Sequence, residues 1–180
     1  MEHFPQLDTE RLRLREIMPS DADPIFQYFS NPRMIRYYGM QQFTNVEEAA
    51  QLVETFRKGF ESGTGIRWGI ELKSTGQLIG TCGFHNWSKK YKRAEAGYEV
   101  SEPFWRNGFA WEAVRTIIQF GFSELGLNRI GAVIIPGNSA SSRMVEKLGF
   151  QKEGLLRAYI IQDGSPMDAH MYSLLDGEGK

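Results

Sequence analysis

The sequence predicts an α/β (α+β) protein with a mixed, mostly antiparallel central sheet and flanking helices. Three observations lead to this class. Segments whose apolar residues alternate with period two are interspersed with segments of helical periodicity. A strand–helix–strand unit over residues 94–135 requires a parallel pair, because a helical crossover joins its two strands. Turns of hairpin type flank this unit and predict antiparallel neighbours.

The first predicted elements are a strand and two helices. Residues 11–15 alternate Arg and Leu, which is typical of a half-exposed strand. Ser20 and Asp23 have the spacing of a capping box and predict the start of a short helix. A second helix is predicted over 46–62, because its apolar residues follow helical spacing and Gly63 can end it.

Three strands and a long helix follow. Strands are predicted near 66–72 and 78–84, joined by a glycine-containing loop, and a third near 94–100. A long helix is predicted to begin near Gly108 and to end at Gly126.

The last part of the chain returns to strands. A buried strand is predicted over 129–135 and a shorter helix over 139–148. Two strands near 155–162 and 167–174 complete the order β-α-α-β-β-β-α-β-α-β-β.

Composition limits the function classes. The 180 residues fit one domain, which we expect to span 1–180, and 41% hydrophobic and 24% charged residues are typical of a folded chain. A net charge of −1 argues against a nucleic-acid binder and against binding to anionic membranes. We expect no secretory signal and no membrane helix, which needs about 20 apolar residues. The lone Cys82 suits a reducing, cytoplasmic location.

The turn at residues 104–110 is the segment richest in candidate chemistry. A predicted strand enters it and a long helix leaves it, so the first turn of that helix offers unpaired N–H groups and the positive end of the helix dipole to an anion. Gly108 and Ala110 keep a close approach open, although small residues also simply pack a helix start tightly. The pattern is neither a Walker loop nor a dinucleotide fingerprint.

A second polar segment, residues 136–142, follows the other parallel strand. Ligands of open α/β sheets bind beyond the carboxyl ends of neighbouring strands, so we expect the two segments to lie side by side. The alternative interpretation of Asn138 or Ser139 is an ordinary helix N-cap.

These motifs carry a family resemblance. The Gly-x-Ala of residues 108–110, the Asn138-x-x-Ser141 pair and residues 146–150 resemble, in this order, a Gcn5-related N-acetyltransferase (GNAT). Further motifs are similar to the RimJ/RimL branch of ribosomal-protein N-terminal acetyltransferases. They are residues 9–15, Gly97-Tyr98 and residues 153–157, so that the resemblance runs from Thr9 to Leu175.

The resemblance implies the GNAT-like acyl-CoA acyltransferase fold, with a splayed parallel strand pair, and an acetyl-CoA site. The backbone of Tyr98, Glu99 and Val100 is implied to pair with the pantetheine arm, with Asn138 and Ser141 on its other side. Trp105 departs from the Gln or Arg of the family pattern, which removes a polar side chain but leaves the backbone donors. The residues implied to hold the pyrophosphate are Trp105, Arg106, Asn107, Gly108, Phe109 and Ala110.

The resemblance also implies the catalytic residues. Val145 and Val133 occupy the positions of a family tyrosine and glutamate, which leaves Ser141 as the proton donor to the departing thiolate. Glu95 or Glu99 is expected to hold a water that removes the amine proton. Each of the two is also typical of a solvated strand residue.

Other reactive residues form no convincing site. Cys82 and His85 lack a third orienting residue, and His3 and His170 have no partner at metal spacing, so no metal is expected. A thioester is already activated, so a reaction without a nucleophilic triad agrees with direct attack by an amine.

The expected function is acetyl transfer from acetyl-CoA to a primary amine, here a protein N-terminal α-amine. Tyr37, Tyr38 and Tyr159 are hypothesised to line the acceptor cleft, with aromatic core packing as the alternative. Two other functions stay open: acetylation of a small amine such as a polyamine or an aminoglycoside, and a non-catalytic acyl-CoA sensor. The partners are acetyl-CoA and the acceptor, and the chain is expected to be a monomer or a homodimer.

Overall fold

The computed structural model describes residues 3–178, and these form a mixed sheet with helices on both faces. The strands are β1 (Leu7–Asp8), β2 (Leu12–Glu16), β3 (Ile66–Leu72), β4 (Gln77–Ser88), β5 (Arg93–Val100), β6 (Arg129–Ile134), β7 (Gln151–Gln162) and β8 (Ser165–Leu175). The helices are α1 (Ala22–Phe29), α2 (Pro32–Ile35), α3 (Val46–Ser62), α4 (Phe109–Ser123) and α5 (Ser139–Lys147).

The centre of the sheet is a parallel pair that separates. The strand order is β1-β2-β3-β4-β5-β6-β8-β7, and among the described strands only β5 and β6 are parallel neighbours. Their register consists of three residue pairs and ends where Glu95 lies opposite Gly131. Beyond this point a gap opens between the two strands. The predicted fold class, including the splayed parallel pair, is therefore confirmed.

The two faces of the sheet carry separate hydrophobic clusters. Helices α4 and α5 pack on one face, where Trp68, Ile117 and Ile130 are fully buried. Helices α1 to α3 cover the other face around Phe29 and Val53. Because side chains alternate along a strand, the even-numbered residues of β5 face α4 and the odd-numbered residues face α1 to α3.

The predictions for the two N-terminal helices have different outcomes. The prediction for α3 is confirmed, since Asn45 and Glu48 form a capping box and Gly63 ends the helix with a left-handed φ of 67°. The capping box predicted at Ser20 and Asp23 is wrong. Asp21 accepts the Met18 N–H there at 2.7 Å, because a short 3₁₀ turn precedes α1.

Long-range pairing accounts for the other differences. Strand β4 extends to Ser88, four residues beyond the predicted end, because this segment pairs with β5. Strand β1 and helix α2 were not predicted, and each is short. No helix within residues 3–178 is long and apolar enough to cross a membrane. The expectation of one domain over 1–180 stays a prediction.

Candidate active site

The turn before α4 has the backbone geometry of an anion site. Arg106 and Gly108 adopt left-handed φ values of 63° and 80°. Gly108 is the N-cap of α4 and, as a glycine, provides no side-chain capping hydrogen bond. The first-turn N–H groups are therefore available to a ligand, at the positive end of the helix dipole. A Cβ on Gly108 would lie 3.4 Å from the Arg11 Nη2 atom, so that a larger side chain would crowd the turn.

The same turn is held in place by an ion pair that the sequence did not indicate. Arg11 donates from Nη1 to the Asn107 carbonyl oxygen at 2.9 Å and from Nε to Glu112 at 2.7 Å. Glu112 also accepts the Thr9 hydroxyl at 2.5 Å. Burial alone would raise the pKa of Glu112, but the hydrogen bonds from Thr9 and Arg11 lower it below its usual value. This pair fixes the turn to the segment before β2.

The Trp105 side chain connects the turn before α4 to the end of β5. Its indole N–H donates to the Val100 carbonyl oxygen at the end of β5. The Arg33 guanidinium lies 5.8 Å from the centre of the indole ring. The hydrogen bond between Trp105 and Val100 closes residues 100–105 into a loop, and it occupies the Val100 carbonyl oxygen.

Backbone groups of β5 face the gap between β5 and β6. Ser101 donates its N–H to the Ile79 carbonyl oxygen at 2.7 Å, so the odd-numbered residues of β5 pair with β4 and the even-numbered ones point towards β6. The described residues of β6 pair with β5 only as far as Glu95. The backbone groups of Ala96 and Tyr98 thus fit an extended chain entering the gap. Glu99 is oriented differently, since its backbone faces Thr81 on β4.

A cavity of about 910 Å³ passes through this gap and reaches both faces of the sheet. Its lining in the gap comes from Ala96 and Ala132. On the α1–α3 side it is lined by residues such as Tyr38 and Phe56, and on the α4–α5 side by Val114. The arrangement lets a ligand entering from one face meet a ligand entering from the other.

Two hydroxyl groups meet on the α5 side of the cavity. The Tyr98 hydroxyl donates to Ser141 Oγ at 3.0 Å, and both residues line the cavity. Burial raises the pKa of Tyr98, an effect that the hydrogen bond with Ser141 reduces. Asn138 accepts the Ser141 N–H at 3.2 Å, so the N-cap interpretation of Asn138 is confirmed. Val145 contributes an apolar surface to the cavity.

Glu99 is a buried ion-pair partner. Its carboxylate pairs with the Arg67 guanidinium, and the two side chains are 4% and 10% exposed. It also accepts hydrogen bonds from the hydroxyls of Thr81 and Tyr38, the latter at 2.9 Å. Burial opposes the charge of Arg67, but the Glu99 carboxylate raises the pKa of Arg67 above its usual value. The interpretation of Glu99 as a solvated strand residue is wrong, because the register turns its side chain under α1 to α3.

Glu95 lies at the base of the gap and lines the cavity. Its carboxylate is 3.4 Å from His85 Nε2, and its side chain is 20% exposed. The hydrogen bond with His85 lowers the pKa of Glu95 below its usual value. Cys82 is no competitor as a nucleophile, because burial raises the pKa of its thiol to about 12. Residues 3–178 contain no cluster of three His, Cys, Asp or Glu side chains that could hold a metal ion.

Comparison with known proteins decides the family. Residues 11–151 match the model of the acetyltransferase (GNAT) domain. The chain is 49% identical over 172 residues to the uncharacterized N-acetyltransferase YoaA of Bacillus subtilis (strain 168), an alignment that covers 96% of this chain and 97% of YoaA. The chain belongs to the GNAT acetyltransferase family. It is accordingly an N-acetyltransferase, whose acceptor the family does not fix.

Other GNAT proteins extend the comparison. The putative ribosomal N-acetyltransferase YdaF of Bacillus subtilis (strain 168) is 27% identical over 173 residues, with 94% of this chain and 93% of YdaF covered. A solved probable acetyltransferase has a TM-score of 0.86 at 25% identity, covering 96% of this chain and 97% of that one. A spermidine N-acetyltransferase from Vibrio cholerae, solved with CoA and spermine, shares the fold with a TM-score of 0.82 at 20% identity, covering 94% and 98%.

The predicted GNAT site residues fall into three groups in the structure. Those that line the cavity are Glu95, Tyr98, Asn138 and Ser141. Those at the end of β5 and in the following turn lie outside its lining: Val100, Trp105, Arg106, Asn107, Gly108, Phe109 and Ala110. Glu99 lies beneath the cavity floor, bonded to Arg67, which lines it. The roles of all these residues stay predictions.

Sequence reasoning missed several groups of this GNAT site. Arg11 was considered only as part of the predicted strand over 11–15 and of the motif at 9–15, and Tyr98 only for its motif and its backbone. His85 was set aside as a partner of Cys82, whereas the strand register places it opposite Glu95.

Proposed function

We propose that the chain transfers the acetyl group of acetyl-CoA to the N-terminal α-amine of a protein. The observation that carries this proposal is the cavity through the gap, open towards α1 to α3 and poor in acidic groups. Glu95 is the carboxylate among its lining residues, and Glu99 beneath the floor is paired with Arg67.

The geometry supports acetyl-CoA as the donor. The uncapped first turn of α4 suits a pyrophosphate, since helix N-termini bind anions through their N–H groups. The backbone of Ala96 and Tyr98 can pair with an extended pantetheine arm. The arm would then bring a thioester into the gap beside the Tyr98–Ser141 hydroxyl pair, which is 3.0 Å apart.

The hydroxyl pair supplies the proton that the leaving group needs. When the amine nitrogen attacks the thioester carbon, the C–N bond forms and the C–S bond breaks, leaving a thiolate. Ser141 donates its proton to this thiolate and recovers one from Tyr98, whose hydroxyl already points at Ser141 Oγ. General-acid assistance of this kind contributes about 10² to 10⁴ in rate.

The acceptor side favours a single amine over a polycation. A polyamine carries several positive charges and needs several carboxylates, whereas this lining contains the carboxylate of Glu95 and the cation Arg67. Tyr37, Tyr38 and Tyr159 all line the cavity and offer flat surfaces to an extended peptide. The relative YdaF, named as a putative ribosomal N-acetyltransferase, supports a protein acceptor.

Acid–base energetics favour an α-amine over a lysine side chain. Only the neutral amine attacks, and an α-amine has a pKa of about 7.7–8.0 against about 10.4 for lysine. Near pH 7.4 deprotonation of the first costs less than about 1 kcal/mol and of the second about 4 kcal/mol. The His85–Glu95 pair at the cavity suffices to deprotonate an α-amine, which has the smaller cost.

A set of acceptors tests the proposal by release of free CoA. One peptide has a free N-terminus and no lysine, and its partner has a blocked N-terminus and one internal lysine. Spermidine and an aminoglycoside complete the set. We expect the free N-terminal peptide to be acetylated fastest. Faster reaction of the blocked peptide contradicts the proposal, and turnover of the small amines alone replaces it with the small-amine alternative.

A further inference from the structure

We propose that His85, oriented by Glu95, is the base that takes the proton from the acceptor amine. The inference rests on the proposed function, because it assigns a catalytic residue to the same acceptor cavity. His85 is on β4 and Glu95 directly opposite it on β5, and the His85 Nε2 to Glu95 Oε2 distance is 3.4 Å. Both residues line the cavity.

The position of the pair relative to the gap is the first argument. Glu95 and Gly131 form the last residue pair of the β5–β6 ladder, so the carboxylate lies at the point where the strands separate. A Cβ on Gly131 would lie 3.3 Å from Glu95 Cγ, which shows that the Glu95 side chain extends over β6. The pair therefore lies at the base of the opening through which the thioester is expected.

The orientation of the imidazole is the second argument. Glu95 faces Nε2, so this nitrogen is the one that donates to the carboxylate and Nδ1 is left as the acceptor. A Cβ on Gly97 would lie 3.6 Å from Nδ1 and 3.5 Å from Cε1. The basic edge of the ring thus lies over Gly97, between the two β5 residues whose backbone groups face the gap.

The exposure of the two residues suits proton transfer. The His85 side chain is 55% exposed, so a proton taken from the acceptor can leave to solvent. Glu95 is 20% exposed, and its bond with His85 lowers its pKa, which keeps a negative charge beside the ring. Histidine is the side chain best suited to exchange a proton near neutral pH.

The charges facing the pair come from three strands. Arg67 on β3 also reaches Gly97, with Nη1 3.1 Å from where a Cβ on Gly97 would lie. Arg93 and Arg129 flank Glu95 in an adjacent cavity of about 460 Å³. Helix α3 and strand β7 face the cavity with uncharged residues, namely Leu52, Thr55, Phe56, Gly59, Tyr159 and Ile160. Besides the hydrogen bond with His85, the charge of Arg93 contributes to the lowered pKa of Glu95, so the carboxylate stays charged and the His85 ring is left as the proton acceptor.

The protons balance over the whole reaction. The ammonium form of the acceptor gives one proton to His85 Nδ1, and the neutral amine then attacks the thioester carbon. The same nitrogen then loses a second proton, which returns to Tyr98. It replaces the proton that passed from Tyr98 through Ser141 to the thiolate. The third proton remains on the amide nitrogen. His85 returns its proton to solvent, so each turnover releases one proton, one thiol and one acetylated amine.

The test is the pH profile of kcat/KM for the free N-terminal peptide with His85→Gln and Glu95→Gln. We expect His85→Gln to lower kcat/KM about 10- to 100-fold at pH 7, and the difference to narrow above the pKa of the α-amine, about 7.7–8.0, where the acceptor is already neutral. Glu95→Gln should also lower kcat/KM at pH 7, with the same narrowing at higher pH, because it removes the carboxylate that leaves Nδ1 as the accepting nitrogen.

The controls separate this base from other roles. His170→Gln removes a histidine that contacts Lys152 outside the cavity lining and should leave kcat/KM within about twofold. Acetyl-CoA affinity, measured by calorimetry, should be unchanged in His85→Gln. Full activity of His85→Gln at pH 7, or an equal loss at every pH, overturns the proposal. If the wild-type chain acetylates none of the amines, the proposed function is refuted, and the assignment of His85 as the base is refuted with it.

Discussion

Replacing Glu99 by glutamine should destabilise the fold strongly, because it leaves the Arg67 guanidinium buried without its counter-charge. The two side chains are 4% and 10% exposed, so water cannot take over the role of the carboxylate. Removing one partner of a buried ion pair costs about 3–5 kcal/mol. For a chain of 180 residues this corresponds to a fall in Tm of about 6–20 °C.

Urea unfolding with matched variants measures this effect. Glu95→Gln is the control, because its partner His85 is 55% exposed and exposed pairs contribute about 0–1 kcal/mol. A double variant, Arg67→Met with Glu99→Leu, should be more stable than Glu99→Gln, since no charge is then left buried. The slope of the unfolding free energy with urea should stay unchanged.

The comparison also decides between the two glutamates considered as the base. We expect Glu99→Gln to affect stability first and Glu95→Gln to affect turnover first. A Glu99→Gln variant within about 1 kcal/mol of wild type would refute the argument from burial. Glu99 would then be open again as a residue of the reaction.

Three further changes test other parts of the site. Gly108→Val should weaken acetyl-CoA binding by more than tenfold, about 1.4 kcal/mol, in a calorimetric titration. The control is Gly76→Val, at a left-handed glycine of φ 71° with open space around it, which should leave the affinity unchanged. Equal affinities of the two variants would show that the turn is not part of the acetyl-CoA site. Ser141→Ala should lower kcat at least about tenfold with little change in acetyl-CoA affinity, and an unchanged kcat would leave Ser141 as a lining residue. Glu112→Gln should reduce stability by about 0.5–1 kcal/mol at pH 7, because its partner Arg11 is 43% exposed. Because the pKa of Glu112 is lowered in the folded state, its stabilising contribution is present above the usual glutamate pKa and is lost as the pH falls through the lowered value. The unfolding free energies of the wild type and of Glu112→Gln should therefore converge in acid, and curves that stay parallel would contradict this.

Features coded by neighbouring residues could be predicted from the sequence. Helix α3 follows from its own periodicity and from Gly63, which ends it in the left-handed conformation. The turn before α4 follows from a glycine at a helix start, and Gly108 does adopt a left-handed φ of 80°. The parallel pair follows from topology, since a helical crossover leaves no antiparallel choice.

Features coded by strand register could not be predicted. Tyr98 meets Ser141 across 43 positions of sequence, and Arg67 meets Glu99 across 32. A register shift of one residue would exchange the faces of β5, and the sequence pattern alone does not fix the shift. The solvated alternative stayed open for Glu99 for this reason, since period two shows which residues share a face but not which cluster covers it.

Strand β5 separates the two proposed proton transfers by the alternation of its side chains. Tyr98 points to the α4–α5 side, where its hydroxyl meets Ser141 and the leaving thiolate is expected. Glu95 and Glu99 point to the opposite side, where α1 to α3 lie and where the acceptor is expected. Gly97 lies between them without a side chain, and a Cβ there would approach Arg67 to 3.1 Å and His85 to 3.5 Å. The missing side chain lets the base reach the strand from one face while the backbone of Ala96 and Tyr98 stays open to the gap, so proton removal and proton delivery take place on opposite sides of one extended segment.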